Sequence, residues 1–247
     1  DEVSANAMLV LDVSGSMILG DYLGTLQYSY RKRNYYAGEH TLDTTKKYVI
    51  YLTNSTMGIV TYKNSNWQVT DSAGRVSYLS NYRGEDIYEY KDSLDQLKAA
   101  SKNFISTLAA KSPKSKVGIA TYSSTLKATK PLTALTNENV SELNEFIDSL
   151  FAEGGTSPNL GLNYANTQLN AVTNENVLKY ALLFTDGQPT GDGNKWNESV
   201  EQASYTAANR IKNYAKIYTV GLNLKSDAKE FLNNIASPAD DKESDYS

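Results

Sequence analysis

Four short apolar runs alternate with helical patterns along most of the chain. They span residues 7–11, 117–122, 180–185 and 217–222, and each is nearly continuous. Such runs are typical of strands that are covered on both faces, as in a parallel sheet. We therefore predict a buried, mostly parallel sheet at the centre of this part of the molecule.

Between these runs, apolar residues recur at the spacing of one helix face. The clearest sets are Leu94, Leu97, Phe104, Ile105 and Leu108; Val140, Leu143, Phe146, Ile147 and Leu150; and Leu162, Ala165, Leu169 and Val172. Ser157 suits the N-cap of the third helix and Pro158 its first position, and two more helices are predicted over 198–215 and 227–236. The alternation predicts an α/β fold: an open, doubly wound, mostly parallel sheet with helices on both faces.

Residues 18–91 interrupt this rhythm. Four β-like segments at 47–53, 58–63, 67–71 and 75–79 are separated by turn residues, whereas residues 18–45 are aromatic and polar with little periodicity. We predict a β-rich insertion that consists of a Tyr-rich arm and a small β-meander. A disordered loop is the alternative, and it suits 18–45 better than 47–79. The predicted organisation is a domain at 1–17 and 92–236, the insertion at 18–91, and a polar tail at 237–247.

Composition narrows the classes of function. The net charge of -4 argues against nucleic acid or an anionic membrane as the main partner, and no apolar run approaches the roughly 20 residues that span a bilayer. The chain has no Cys, which excludes disulfides, zinc–thiolate sites and thiol catalysis. Its 19 Tyr are typical of extracellular binding proteins. Because the chain begins at Asp1, we expect a processed form or an excised domain.

Five oxygen-bearing residues lie where strands pass into loops or a loop enters a helix. They are Asp12, Ser14, Ser16, Thr156 and Asp186. Ligands of open α/β sheets bind at the carboxyl ends of the strands, so the three loops could converge there. Hydroxyl and carboxylate oxygens suit Mg²⁺, Mn²⁺ or Ca²⁺ rather than zinc or copper. We predict a divalent-cation site, with Mg²⁺ favoured and room for a ligand from another molecule.

The motifs that carry these residues resemble those of von Willebrand factor type A domains. DVSGSM resembles the D-x-S-x-S signature of that family, GGTSP its threonine loop and FTDGQPT its T-D-G loop, in the same order. The resemblance implies a metal-ion-dependent adhesion site. Ser14, Ser16 and Thr156 would contact the metal, while Asp12 and Asp186 would contact it directly or through water. An acidic residue of a partner protein would complete the octahedral shell.

The chain departs from the family pattern in two places. Family members usually have a further strand and a final helix after the segment that matches 227–236, and the sequence does not supply them. The insertion at 18–91 resembles the arms of Gram-positive pilus-tip and surface adhesins, where such arms shape the choice of ligand.

Catalytic alternatives fit the sequence less well. The single His40 lies in the irregular half of the insertion, and Ser14 lacks a G-x-S-x-G context. A dehalogenase-type phosphatase would need Asp at position 14, and no phosphate-binding loop is present. Arg31, Lys32 and Arg33 among tyrosines could form a base-stacking surface, but a solvated arm or a set of protein-binding anchors suits the negative net charge better.

The sequence therefore favours an extracellular adhesion module, not an enzyme. We expect attachment at the cell surface or cell wall of a Gram-positive bacterium, and a protein partner such as host extracellular matrix that supplies the carboxylate. The alternative is an intracellular module of a chelatase-like or chaperone-like ATPase assembly, in which the same site would hold a partner subunit.

Overall fold

A computed structural model describes the chain over residues 4–19, 26–29, 42–52, 57–71, 73–82, 87–90, 92–222, 224 and 226–238. The chain divides into two compact units, one formed by Asp1–Gly20 with Ser93–Ser247 and the other by Asp21–Asp92. Most of the predicted Tyr-rich arm and of the predicted polar tail lies outside the described residues. Within the described part, no helix is long and apolar enough to cross a membrane.

Strands and helices are numbered in chain order. The strands are β1 (Ser4–Asp12), β2 (Leu26–Ser29), β3 (Lys47–Tyr51), β4 (Met57–Lys63), β5 (Asn66–Thr70), β6 (Val76–Tyr78), β7 (Ile87–Tyr90), β8 (Lys116–Tyr122), β9 (Leu126–Ala134), β10 (Val177–Thr185) and β11 (Lys216–Gly221). The helices are α1 (Ser16–Leu19), α2 (Ser93–Lys111), α3 (Asn137–Asp148), α4 (Pro158–Asn170), α5 (Glu198–Lys212) and α6 (Ser226–Ile235), with a 3₁₀ helix at Leu79–Asn81.

The first unit is built on a five-stranded sheet in the order β11-β10-β1-β8-β9. Neighbouring strands are parallel except β9, which is antiparallel to β8. Successive side chains of β1 enter opposite cores: Met8 and Val10 pack in the cluster that includes residues of α4, α5 and α6, and Leu9 and Leu11 in the cluster that includes residues of α2 and α3. The predicted α/β fold with helices on both faces is thereby confirmed.

Two details of this unit differ from the sequence prediction. The edge strand β9 was not predicted, because its residues are mostly half-buried or exposed and it contains Pro131, which only an edge strand tolerates well. Ser157 does occupy the N-cap of α4 and Pro158 its first position, but the Ser157 side chain makes no capping hydrogen bond.

The second unit contains a six-stranded antiparallel sheet in the order β2-β7-β3-β4-β5-β6. The four predicted β segments correspond to β3, β4, β5 and β6, which pair consecutively. The sheet is larger than the predicted meander, since β7 returns to pair with β3 and β2 pairs with β7. Its core contains Tyr48, Ile50, Val60, Val69, Leu79 and Ile87.

Candidate metal centre

Three loops meet at the carboxyl edge of the central strands. β1 lies between β8 and β10, and Asp12 is its last residue, while Asp186 directly follows β10. The loop after β1 is tied to the threonine loop by two backbone hydrogen bonds. The Gly15 N–H donates to the Gly154 carbonyl (2.9 Å), and the Glu153 N–H donates to the Val13 carbonyl (2.9 Å). Parallel pairing therefore brings together segments that are more than a hundred residues apart in the sequence.

The Asp12 carboxylate is fully buried and held by neutral donors. Its Oδ1 accepts from the Ser14 backbone N–H (2.8 Å), and its Oδ2 accepts from the Thr185 hydroxyl (2.6 Å). The Thr185 Oγ1 also accepts from the Gly187 N–H (3.0 Å). These hydrogen bonds fix the orientation of the Asp12 carboxylate before any ligand binds.

Side-chain oxygens of Ser14, Ser16 and Asp186 are linked by hydrogen bonds that lead from the buried Ser14 towards solvent. Ser14 Oγ lies 3.1 Å from Ser16 Oγ, and Ser16 Oγ donates to Asp186 Oδ1 (3.0 Å). Ser14 is buried, Asp186 is half-buried and Ser16 is exposed. The cluster therefore has a buried carboxyl group at Asp12 and an accessible side at Ser16.

Thr156 is brought to the same edge by the backbone of its loop. Its N–H donates to Thr190 Oγ1 (3.2 Å), and its carbonyl accepts from the Gly191 N–H (2.8 Å). A Cβ at Gly155 would lie 2.0 Å from the Gly191 carbonyl oxygen, so only glycine allows this close approach. Thr156 itself is 4% exposed. The structure thus holds Thr156 through backbone contacts, whereas the other four residues are linked by their own side chains.

The electrostatics of the centre favour a cation. Burial raises the pKa of Asp12 from 3.8 to about 7, and the nearby negative charge of Asp186 acts in the same direction. The hydrogen bonds from Ser14 and Thr185 oppose this shift but do not cancel it. A bound divalent cation would offset the repulsion between the Asp12 and Asp186 carboxylates and would lower the pKa of Asp12.

The donor set and its spacing fit a hard divalent cation. In an octahedral Mg²⁺ shell with ligands at about 2.0–2.1 Å, adjacent oxygens stand about 2.9 Å apart. The Ser14–Ser16 and Ser16–Asp186 oxygen distances of 3.1 and 3.0 Å are close to that spacing. Among the described residues, no group of three or more His, Cys, Asp or Glu side chains gathers elsewhere as a competing site.

The residues that support this centre were not predicted from the sequence. Thr185 orients Asp12, Thr190 and Gly191 hold the threonine loop, and the buried Ser123 carbonyl accepts from the Ser157 N–H (2.9 Å). Thr185 stands beside Asp186 in a motif that was recognised, so its position offered a signal. Thr190 ends the same motif, but its contact with Thr156 depends on which loops the sheet brings together, and Ser123 lies in no recognised motif.

Solved structures share the fold of this chain. They include a variant of the minor pilin PilB from Streptococcus sanguinis (TM-score 0.53, 15% identity, 95% of this chain and 55% of that one). The pilus adhesin SpaC from Lactobacillus rhamnosus GG in an open conformation gives a TM-score of 0.54 at 14% identity, over 95% of this chain and 27% of that one. A von Willebrand factor type A protein from Catenulispora acidiphila gives 0.51 at 12%, over 94% and 37%. This chain spans about half or less of the length of each.

The family assignment comes from the sequence itself. No curated protein matches the chain. The family model does match, over a range that includes Thr156 and Asp186, and the structure adds Asp12, Ser14 and Ser16 to the same centre. Because the model of the von Willebrand factor type A domain matches residues 90–246, more than half of the sequence, the chain belongs to that family.

Proposed function

We propose that this chain is an extracellular adhesion module that binds an acidic residue of a partner protein through a divalent cation. The cation would be held by Asp12, Ser14, Ser16, Thr156 and Asp186, with Mg²⁺ favoured. The observation that carries the proposal is the buried Asp12 carboxylate, which has only neutral hydrogen-bond donors and a second carboxylate nearby. Such a charge is costly unless a counter-charge accompanies it.

The chain's own residues would divide the work of binding. Asp12 and Asp186 contribute two negative charges, which balance the ion, and the serine hydroxyls contribute neutral oxygens. When bound, the cation supplies an electrophilic centre for an outside carboxylate. Ser16 lies at the exposed side of the cluster, so a partner carboxylate would approach there without rearrangement of the buried Asp12.

We place the module at the cell surface or cell wall of a Gram-positive bacterium, and its partner among host extracellular matrix proteins. Support comes from the pilus proteins PilB and SpaC, which share the fold, and from a Tyr-rich composition without Cys. At 15% and 14% identity, these proteins share the fold of this chain.

Binding to immobilised fibronectin and collagen tests the proposal. The full chain should bind at least one of them with Mg²⁺ and lose binding in EDTA. Asp186→Asn should also lose binding, whereas Asp148→Asn is the control because Asp148 lies at the exposed end of α3 and its carboxylate pairs at the surface with Lys102. An excess of a glutamate-containing peptide should compete, and its glutamine counterpart should not. Equal binding in EDTA would contradict the metal-dependent mechanism, and no binding to either protein would contradict the matrix partner.

We assign no catalytic role to the centre. The hydroxyl of Ser14 lies 3.1 Å from that of Ser16, and Ser14 has no G-x-S-x-G context. Purified protein should show no Mg²⁺- or Mn²⁺-dependent turnover of a model phosphoester. A rate that disappears with Asp12→Asn would replace adhesion with metal-dependent hydrolysis as the function.

A further inference from the structure

The second unit carries an open cleft of about 600 Å³. Its volume lies within the range of about 300–1,000 Å³ that is typical of small-ligand sites. None of the described residues that line it carries a charged side chain. This part of the lining offers aromatic surface and neutral polar groups to a ligand.

Three of the described residues that line the cleft are aromatic. Tyr62 of β4 and Trp67 of β5 are opposite each other in the sheet, with ring centroids 5.2 Å apart in an edge-to-face arrangement. Trp67 also packs edge-to-face against the buried Tyr48 at 5.7 Å, which fixes its ring. Tyr62 is 39% exposed, and Tyr78, which also lines the cleft, is 55% exposed. Aromatic faces held open to solvent are suited to stacking against an apolar ligand face.

The described lining also contains uncharged hydrogen-bonding groups. Thr44, Ser65 and Ser80 contribute hydroxyls, and Asn66 contributes an amide. Hydroxyls both donate and accept, and the amide offers a carbonyl as well as an NH₂ group. Such groups match a ligand whose own polar groups both donate and accept.

The walls of the cleft are built before any ligand binds. The backbone N–H of Asp43 donates to the hydroxyl of the buried Tyr48 (2.8 Å), and Asp43 Oδ1 accepts from both the N–H and the hydroxyl of Thr45. This arrangement fixes the wall that carries Thr44.

The hairpin turn forms a second wall, at Asn64 and Ser65, which both have positive φ (50° and 62°). The Asn66 amide donates to the Asn64 carbonyl (3.0 Å) and stabilises this turn. A preformed site loses little conformational entropy when it binds a ligand.

We propose that this cleft binds a neutral carbohydrate, independently of the metal centre. A sugar ring has one face of C–H groups, which would stack on Tyr62 or Trp67, and a rim of hydroxyls, which would pair with Thr44, Ser65, Asn66 and Ser80. A proline-rich peptide also docks on aromatic grooves, but its backbone without N–H groups would leave the accepting oxygens of these side chains unmatched. The combination of aromatic faces with uncharged donors and acceptors favours the sugar.

Saturation-transfer NMR on the full chain, with lactose, maltose and diacetylchitobiose as probes, tests this proposal. At least one disaccharide should receive saturation transfer and bind with a dissociation constant on the order of 1 mM or tighter. Binding should persist in EDTA, because no metal-centre residue lines the cleft. Titration of the Trp196→Phe variant, in which Trp67 is the remaining tryptophan, should show a change in its fluorescence.

Matched variants test whether the sugar binds in this cleft. Tyr62→Ala should weaken binding at least tenfold, and Tyr62→Phe should keep most of it, because the ring rather than the hydroxyl stacks. Tyr218→Ala is the control, since Tyr218 is a 50% exposed tyrosine in the first unit. The proposal is overturned if no probe sugar binds, if Tyr62→Ala binds as the parent does, or if a proline decamer binds the cleft in place of the sugars.

Discussion

The candidate metal centre and the aromatic cleft are built in opposite ways. The centre lies at the end of a parallel sheet whose strand β1 is buried along nearly its whole length, and it concentrates charge in that buried setting. The cleft lies on an antiparallel sheet whose strands β5 and β6 are largely half-buried or exposed, and the described residues that line it are uncharged. We expect a bound cation to stabilise the first site, whereas the affinity of the second for a ligand should depend on the contact area. Their responses to mutation, pH and metal should therefore differ.

The largest expected effect is a loss of stability in the second unit alone. Leu79→Ala removes a 1% exposed side chain from the core of the second unit and should cost about 2–5 kcal/mol of its unfolding free energy. The stabilisation of the first unit by Mg²⁺ should not change, because all five proposed ligands lie outside residues 21–92. Hydrogen exchange with mass spectrometry can follow the two units separately, with the 59% exposed Val76→Ala as the control. Loss of the Mg²⁺ effect in Leu79→Ala would show that the units are coupled.

The next effect concerns pH and belongs to the first unit alone. The folded pKa of Asp12 is about 7, above the unfolded value of 3.8, so the folded state keeps a proton that the unfolded chain has released between these values. In EDTA the contribution of Asp12 to stability should be fully present below about pH 4 and should be lost as the pH rises to about 7. Chemical denaturation of the parent and of Asp12→Asn across this window isolates the contribution. A difference that stays constant with pH, or grows in favour of the parent, would contradict the buried-charge account.

A smaller effect should come from paired glycine substitutions. Gly155→Ala places a Cβ 2.0 Å from a backbone oxygen and should cost about 1–3 kcal/mol, with weaker Mg²⁺ binding because the threonine loop must move. Gly74→Ala in the second unit meets no atom within 4 Å and is strained only by its positive φ of 77°, so it should cost about 1 kcal/mol and leave Mg²⁺ binding unchanged. Thermal melts with and without Mg²⁺ measure both effects. Equal Mg²⁺ affinities in the two variants would show that the threonine loop does not contribute to the centre.

The sequence predicted the two regions unequally, for a physical reason. The strands β1, β8, β10 and β11 contain short apolar runs, so they were recognised without the structure, although β11 lies at the edge of the sheet and is mostly half-buried or exposed. The edge strand β9 lacks such a signal because its residues are half-buried or exposed. Strands β2 and β7 are only four residues long, which is too short to show a clear period.

The same distinction holds within the metal centre. Asp12, Ser14, Ser16, Thr156 and Asp186 lie in short motifs that the sequence displays. The bond from Thr185 to Asp12 spans 173 residues and that from Thr156 to Thr190 spans 34. Such contacts depend on strand order and register, which the spacing of motifs does not determine.

Calorimetric titration of Mg²⁺ into metal-stripped protein tests the proposed metal site, with Asp12→Asn and Asp186→Asn measured beside the parent. The parent should bind one Mg²⁺ per chain and gain about 2.7 kcal/mol of stability at a hundredfold excess over the dissociation constant, whereas both variants should lose this binding while remaining folded. A parent protein that shows neither binding heat nor a change in melting temperature with Mg²⁺, Mn²⁺ or Ca²⁺ would contradict the proposed metal site, and so would variants that bind Mg²⁺ as the parent does.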